Sequence, residues 1–284
     1  MKQLENIELV DNKYCDNLYL QPLMLPTDLP NLKYLAADRV INYSNIDRLP
    51  FAAPNLLKLY FRHSYCNNYK SLLNFKYLNA MIIEIDDHNT SHTKVIQYIP
   101  TVKYLKLIFN KNCIPEVLSD LVKYKSSNLK TLILQFNKEF RNEYLSTLSS
   151  LQELKYLKIV FPIFGMSLVR LNTDGKLCEL SNLKGVQELV LINVCPLNFK
   201  NMESDLMHII ENMPSLTSLI LTFPLTEKFL SEIYDVLYEL GTYKEVHYIV
   251  RSSIKSFITK TEFHYSNKKF SGKIFQITAD MEDK

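Results

Sequence analysis

Two histidines and an acidic cluster just before them form the densest group of chemically active side chains in the sequence. His88 and His92 are four residues apart, and Glu84, Asp86 and Asp87 precede them. On a helix this spacing would place both imidazoles on one face, where they could bind a metal ion such as zinc. Polar residues are equally ordinary in the turn after a strand, and the repeat pattern described below places this cluster in such a turn. We therefore expect no metal site.

Motifs for nucleophilic or phosphate chemistry are missing from the sequence. The five glycines, at positions 165, 175, 185, 241 and 272, stand alone, so no phosphate-cradling loop, dinucleotide turn or nucleophile elbow can be written. Ser167 has a glycine on one side only, although the strained elbow needs small residues on both sides. Cys113 and Cys195 lie among apolar residues, which makes a thiol less reactive. We expect a protein that is not an enzyme and that holds no cofactor.

A repeated strand pattern organises almost the whole chain. Residues 129–137 read LKTLILQFN and match LxxLxLxxN, the strand pattern of leucine-rich repeats. In the fourth related segment Ala80, Ile83 and Ile85 take positions one, four and six. Because side chains alternate along a strand, each strand should bury one face and display the other. The nine segments start at Leu4, Leu32, Leu56, Ala80, Val102, Leu129, Leu154, Val186 and Leu216.

Helical spacing between the strands completes the prediction of the fold. Apolar residues recur at helical intervals within 117–122, 206–210 and 229–237, which would return the chain over the opposite side of the sheet. The sequence thus predicts an α/β leucine-rich-repeat solenoid over residues 1–250, with a parallel sheet on the concave side and helices on the convex side. Residues 251–284 are interpreted as a β hairpin and tail that cap its C-terminal end. The alternative is a hairpin that folds toward the concave face.

The repeats are irregular. Their spacing is uneven, and the asparagine of position nine survives only at Asn12, Asn110 and Asn137. That asparagine usually bonds exposed backbone at the turn after the strand, so its loss predicts irregular loops. In these features residues 1–250 resemble the repeat domains of fungal and other eukaryotic F-box proteins. The resemblance implies substrate recognition for a ubiquitin ligase. The first repeat leaves no room for an F-box, so an upstream module or another subunit is expected at the N-terminal edge.

The strand residues that point away from the core, at positions three, five and seven, are the candidate binding surface. Tyrosine and arginine are frequent in interface hot spots because they bury a large area and keep a polar contact. The alternative is that tyrosine is simply abundant here, with 18 residues, and is favoured in strands. The expected partner-binding residues are Tyr34, Lys58, Tyr60, Arg62, Glu84, Asp86, Tyr104, Lys106, Tyr156 and Lys158.

Two further sets of apolar residues recur in the pattern. One set occupies outward positions, where an extended apolar patch marks a binding surface or is covered by the protein itself. Its members are Ile133, Val160, Val190, Ile192 and Ile220. The other set occupies position eight and is interpreted as a phenylalanine spine in the core rather than a ligand site. Its members are Phe109, Phe136, Phe161 and Phe223.

Composition favours the cytosol or the nucleus. The net charge is +3, from 33 Lys and Arg against 30 Asp and Glu, so no strong field favours nucleic acid or an anionic membrane. The five cysteines are odd in number and widely spaced, and we interpret them as reduced. Neither a signal segment nor an apolar run of about 18 residues is present.

These observations favour an intracellular scaffold for protein–protein interaction. Its partner would bind the concave N-terminal half, and the scaffold would be the substrate-recognition part of an F-box-like ubiquitin-ligase receptor. Two alternatives stay open. One is a structural subunit of a larger nuclear assembly. The other is a GTPase-activating repeat protein, which would need a loop arginine such as Arg170.

Overall fold

The structure is a computed structural model that divides into two compact units, Met1–Asn137 and Lys138–Lys284. They are called the N-terminal unit and the C-terminal unit below. The residues described are 3–9, 29–37, 43–63, 70–85, 95–110, 115–138, 140, 143–162, 177–192, 201–221, 227–240, 245–252, 260–266 and 271–280.

The N-terminal unit is a parallel sheet of six strands that pair in chain order. Parallel neighbours need a crossover connection, and helical segments supply it between several of these strands. The strands are β1 (Asn6–Leu9), β2 (Tyr34–Ala37), β3 (Lys58–His63), β4 (Ala80–Ile85), β5 (Tyr104–Phe109) and β6 (Thr131–Phe136). The helices are α1 (Tyr43–Ala52), α2 (Val95–Tyr98) and α3 (Pro115–Lys125), with a 3-10 helix at Lys70–Asn74.

The C-terminal unit repeats this architecture and ends in the hairpin that the sequence predicted. β12 pairs in parallel with β10, and β11 pairs antiparallel with β12. The strands are β7 (Tyr156–Val160), β8 (Glu188–Ile192), β9 (Ser218–Leu221), β10 (Glu245–Ser252), β11 (Lys260–Ser266) and β12 (Ser271–Asp280). The helices are α4 (Glu143–Leu148), α5 (Met202–Asn212) and α6 (Glu227–Leu240), with a 3-10 helix at Leu177–Asn182.

Alternation along the strands builds the core as predicted. In β6, Leu132 and Leu134 are 0% exposed, whereas Ile133 between them is half-exposed. β4 and β5 alternate in the same way. The fold is therefore the α/β leucine-rich-repeat class that the sequence pattern predicted.

Backbone hydrogen bonds fix the register just before each strand. The carbonyl oxygen of Lys103 accepts hydrogen bonds from the backbone N–H groups of Lys130 and Thr131, both at 2.9 Å. The carbonyl oxygen of Asn79 does the same for Lys103 and Tyr104, at 3.0 and 3.1 Å. Since this pairing recurs at the second position of successive repeats within the N-terminal unit, each of those repeats after the first is positioned by the one before it.

The fourth repeat begins two residues earlier than the sequence pattern predicted. β4 pairs with β3 so that Met81 lies beside Leu59. Met81 therefore takes position four instead of Ile83, and the buried Leu78 takes position one instead of Ala80. The apolar residues of this segment fit both registers because strand side chains alternate with a period of two. A shift of two residues leaves the same side chains on the outward face.

The phenylalanines of position eight lie in the core, as expected. Phe109 and Phe136 are each 1% exposed, and their rings stack with centroids 5.1 Å apart. In the C-terminal unit Phe161 packs edge-on against Phe140 at 4.7 Å. Phe223 lies outside the described residues.

One strand was not recognised in the sequence. β10 continues the repeat register from β9, with Val246 beside Leu219 and Tyr248 beside Leu221. A valine and a tyrosine thus replace the leucines of positions four and six. The sequence feature that could have revealed β10 is the pair Val246 and Tyr248, which lie two residues apart and one repeat length after β9.

Candidate protein-binding surface

The outward face of strands β2 to β6 carries most of the residues that the sequence singled out. We call it the outer face, and it consists of Tyr34, Lys58, Tyr60, Ile82, Glu84, Tyr104, Lys106, Ile108, Ile133 and Gln135. Lys58 is exposed and the others are half-exposed, because the flanking side chains of neighbouring strands cover part of each. The outer face is accordingly a partly shielded surface of aromatic, aliphatic and charged groups.

The candidate tyrosines do not all lie on adjacent strands. Tyr34 and Tyr60 lie on the neighbouring strands β2 and β3, whereas β4 lies between Tyr60 and Tyr104. Tyr156 and Lys158 belong to the C-terminal unit, on β7. The sequence set is therefore divided between the two units.

Arg62 and Asp86 are not part of the outer face as defined above. Arg62 is part of β3, where its backbone pairs beside Glu84 of β4. Asp86 lies outside the described residues, as do His88 and His92. The register of β4 makes Glu84, and not Asp86, the residue of position seven.

Tyr34 and Lys58 form a pair across β2 and β3. The Lys58 ammonium nitrogen lies 5.1 Å from the centroid of the Tyr34 ring, a cation–π contact of about 0.5–1 kcal/mol at an exposed site. Burial raises the pKa of the Tyr34 phenol, and the negative charge of Glu8 raises it further. The phenol is therefore protonated at neutral pH and offers a hydrogen-bond donor to a partner.

Five polar side chains form a hydrogen-bonded row that crosses β3, β4, β5 and β6. The Tyr60 hydroxyl donates to Glu84 Oε2 at 3.0 Å, and the Asn110 amide donates to Glu84 Oε1. Asn137 Nδ2 donates to Asn110 Oδ1 at 2.6 Å, and Gln135 Nε2 donates to Asn137 Oδ1 at 3.0 Å. We call this row the polar ladder. It fixes the orientation of an anionic carboxylate and an aromatic ring before any partner binds.

The asparagines of position nine thus do more than the sequence suggested. They were expected to bond the exposed backbone of their turns, but their side chains bond polar side chains of the adjacent repeat. The backbone pairing also continues here, since the N–H of Asn137 donates to the carbonyl oxygen of Phe109 at 2.9 Å. The signal that sequence reasoning missed is a carboxylate at position seven, Glu84, followed one repeat later by the amide of Asn110.

The remaining part of the outer face is aromatic and aliphatic. Burial raises the pKa of the Tyr104 phenol, so this ring too presents a neutral hydroxyl. Ile82, Ile108 and Ile133 are half-exposed on β4, β5 and β6. Ile82 and Ile133 lie on either side of Lys106, so aliphatic and charged side chains are neighbours on this part of the outer face.

In the C-terminal unit aliphatic residues occupy some of the outward positions on strands β7, β8 and β9. Val160 lies beside Ile192, and Val190 lies beside Ile220. Val190 is only 4% exposed, so at this position the protein itself covers the side chain, which is one of the two outcomes that the sequence left open. It is a short side chain between the longer side chains of Lys158 and Ile220 on the flanking strands.

The described residues contain neither a metal-ligand group nor a membrane-spanning helix. In the part of the chain that the structure describes, no three His, Cys, Asp or Glu side chains come together as a metal-ligand group. No helix of that part combines the length and apolarity needed to cross a bilayer. Ser167, Arg170, Cys113 and Cys195 lie outside the described residues.

Comparisons with known proteins do not assign the chain to a family. No protein-family model matches the chain, and no curated protein matches it either. Among solved structures the chain is similar to internalin C2 from Listeria monocytogenes, with 18% sequence identity and a TM-score of 0.41. The match covers 78% of this chain and 79% of that one. The repeat fold described above rests on the register and burial of the chain itself.

Proposed function

We propose that the chain is a non-enzymatic scaffold for protein–protein interaction and that the outer face receives its protein partner. The observation that carries the proposal is the polar ladder, which holds Tyr60 and Glu84 in fixed orientations. Immobilising a flexible side chain on binding costs about 0.5–1.5 kcal/mol. Side chains that are ordered in advance avoid this cost, which favours the outer face as the binding surface.

The composition of the outer face supports a protein partner. Tyr34, Tyr60 and Tyr104 combine aromatic area with a protonated or hydrogen-bonded hydroxyl, as hot-spot residues do. The three isoleucines of the outer face supply apolar contact, and Lys58 and Lys106 supply charge. A partner with apolar side chains flanked by hydrogen-bond acceptors would match this surface.

The finer proposal is that the chain is the substrate-recognition part of an F-box-like ubiquitin-ligase receptor in the cytosol or nucleus. It rests on the irregular spacing of the repeats. On this proposal the outer face binds the substrate, and a separate module or subunit connects the scaffold to the ligase.

Affinity purification from the native source followed by mass spectrometry tests both the scaffold proposal and the ubiquitin-ligase proposal. The tagged parent chain is compared with Tyr60→Ala/Arg62→Ala, and with Ser150→Ala/Glu211→Ala as a control at two exposed positions of the C-terminal unit. We expect the first variant to lose a protein that the parent and the control recover. Recovery of every partner by Tyr60→Ala/Arg62→Ala would contradict the outer face as the interface.

The identity of the partner then tests the finer proposal. A cullin-ligase adaptor that co-purifies with all three chains supports a ubiquitin-ligase receptor. A small GTPase, or a fixed set of stoichiometric subunits without a ligase component, would contradict it and leave the scaffold proposal intact.

A further inference from the structure

Two successive turns of the N-terminal unit expose large apolar side chains that the outer face does not include. Among the residues that the structure describes, Phe51 is 75% exposed, Leu57 45%, Leu73 53% and Tyr77 58%. Phe51 and Leu57 precede strand β3, and Leu73 and Tyr77 precede strand β4. We call them the turn patch. Apolar residues exposed singly are ordinary, whereas a contiguous group marks an interaction site.

The repeat geometry brings the four side chains to one edge of the unit. Phe51 is the penultimate residue of α1 and Leu73 that of the following 3-10 helix, each five residues before position one of its repeat. These two helices pack against one another. The carbonyl oxygen of Leu57 accepts from the backbone N–H of Asn79 at 2.8 Å, which places Leu57 beside the turn that carries Tyr77.

Other repeats of the chain show that the fold does not require apolar residues here. The position of Phe51 and Leu73 holds Gln97, Ser149 and Glu211 in three other repeats, and the positions of Leu57 and Tyr77 are also polar in several of them. Tyr124 shares the position of Phe51 but lies beneath the Lys123 ammonium, 4.8 Å from its ring centroid. The polar equivalents of Leu57 and Tyr77 include Lys33, Lys103, Thr217, Asn128, Glu153 and Ser215.

The segment that carries the turn patch has an excess of positive charge. No Asp or Glu occurs between Asp47 and Glu84, whereas this stretch contains Arg48, Lys58, Arg62, Lys70 and Lys76. Of these, Arg48, Lys58, Lys70 and Lys76 are exposed. An excess of exposed positive charge in one segment attracts an acidic ligand.

We propose that the turn patch is a second docking site and that its occupant is an acidic protein segment with apolar anchor residues. The anchors would cover Phe51 and Leu73, and carboxylates of the segment would lie near Lys70 and Lys76. A bilayer would also be attracted by apolar and cationic groups. Leu57, Leu73 and Tyr77, however, are each about half covered by their own unit. Membrane binding of this kind needs an apolar face that reaches about 5–10 Å into the lipid boundary.

Peptide display tests the proposal without knowledge of the natural partner. A library of random twelve-residue peptides is selected against the full chain, and the affinity of the recovered peptides is measured by fluorescence anisotropy. We expect enrichment of Asp and Glu together with Leu and Phe. Binding should weaken at least tenfold for Phe51→Ser/Leu73→Ser and for Lys70→Glu/Lys76→Glu.

Two controls make the result interpretable. Ser149→Ala/Glu211→Ser changes the equivalent position in two repeats of the C-terminal unit and should bind the peptides like the parent. The thermal unfolding midpoint of Phe51→Ser/Leu73→Ser should match that of the parent, because both side chains are exposed. If the midpoint falls, Lys70→Glu/Lys76→Glu provides the decisive comparison.

Several results would overturn the proposal. One is the selection of peptides whose affinity is unchanged in both double variants, and another is failure of the library to yield any binder. Binding to phosphatidylcholine vesicles containing phosphatidylserine that is lost in the Phe51 and Leu73 variant would assign the patch to a membrane. Self-association in sedimentation that the same variant abolishes would assign it to a second copy of the chain. Because no turn-patch residue belongs to the outer face, these outcomes leave the proposed function untouched.

Discussion

Asn137 donates a hydrogen bond of 2.6 Å to the side-chain oxygen of Asn110, which joins the turns after β6 and β5. Asn110 in turn donates to the carboxylate of Glu84. One amide therefore connects three repeats of the N-terminal unit. It is the central member of the polar ladder, and its loss should affect both stability and the orientation of Glu84.

Replacement of Asn110 by alanine should lower the free energy of unfolding by about 1–2 kcal/mol, since it removes hydrogen bonds that include one to a charged group. Asn128→Ala is the control, because that amide donates to the neighbouring Ser127 hydroxyl in an exposed turn. Urea denaturation measures both variants. Equal losses in the two would show that the ladder does not contribute to stability.

The alternation in β6 predicts very different effects at two adjacent positions. Leu132→Ala removes a fully buried side chain and should cost roughly 2–5 kcal/mol, through lost transfer energy and the cavity that remains. Ile133→Ala should cost much less, because that side chain is half-exposed. The same denaturation experiment measures both, and similar losses would refute the strand assignment.

Gly185 occupies a position where no side chain fits. A Cβ atom there would lie 2.5 Å from the carbonyl oxygen of Gln152 and 3.1 Å from that of Leu154. Gly185→Ala must therefore shift backbone and should destabilise the chain by about 1–3 kcal/mol. Ser215→Ala, at the same position of the next repeat, should change the unfolding midpoint little. An unchanged midpoint for Gly185→Ala would contradict the close approach of these two repeats.

Lys125 gives stability a specific dependence on pH. Its side chain is 8% exposed, and its ammonium donates to the carbonyl oxygen of Ile99. Burial lowers the pKa of Lys125 from its ordinary value of 10.5. Between the lowered pKa and 10.5 the unfolded chain binds more protons than the folded chain, so this residue makes stability rise with pH.

Comparison of the parent with Lys125→Met isolates this effect. Denaturation at several pH values between about 7 and 10 should show a stability difference, parent minus variant, that increases with pH. Other titrating groups are common to both chains and cancel in the difference. A difference that stays constant or decreases over this interval would contradict the lowered pKa.

The fold was largely predictable because burial imposes a period of two on every strand. Leu132, Leu134 and the buried phenylalanines followed directly from that period. The register of β4 did not, because Leu78 and Ala80 are both apolar and local pattern fits either choice. Hydrogen bonds to the preceding repeat decide it. β10 was missed because Tyr248 takes a position where the pattern requires an aliphatic side chain.

The candidate site was predictable only where the alternation of side chains along a strand determines which face a residue occupies. The outward direction of Tyr60 and Tyr104 follows from alternation along the strand. The polar ladder does not, because it joins Glu84 to Asn110 across repeats and depends on the corrected register of β4. The turn patch was also missed, since exposure of Phe51 depends on where the helix ends relative to the next strand.

The most direct test of the central claim is physical contact between the outer face and the partner. A photoreactive benzoyl-phenylalanine is placed at Tyr104 on β5, and in a control chain at Glu116, which is exposed on α3. On irradiation in the native extract, the probe at Tyr104 should cross-link the protein that the parent chain recovers by affinity purification, and the probe at Glu116 should not. Cross-linking of that protein from Glu116 with none from Tyr104 would contradict the outer face as its binding surface.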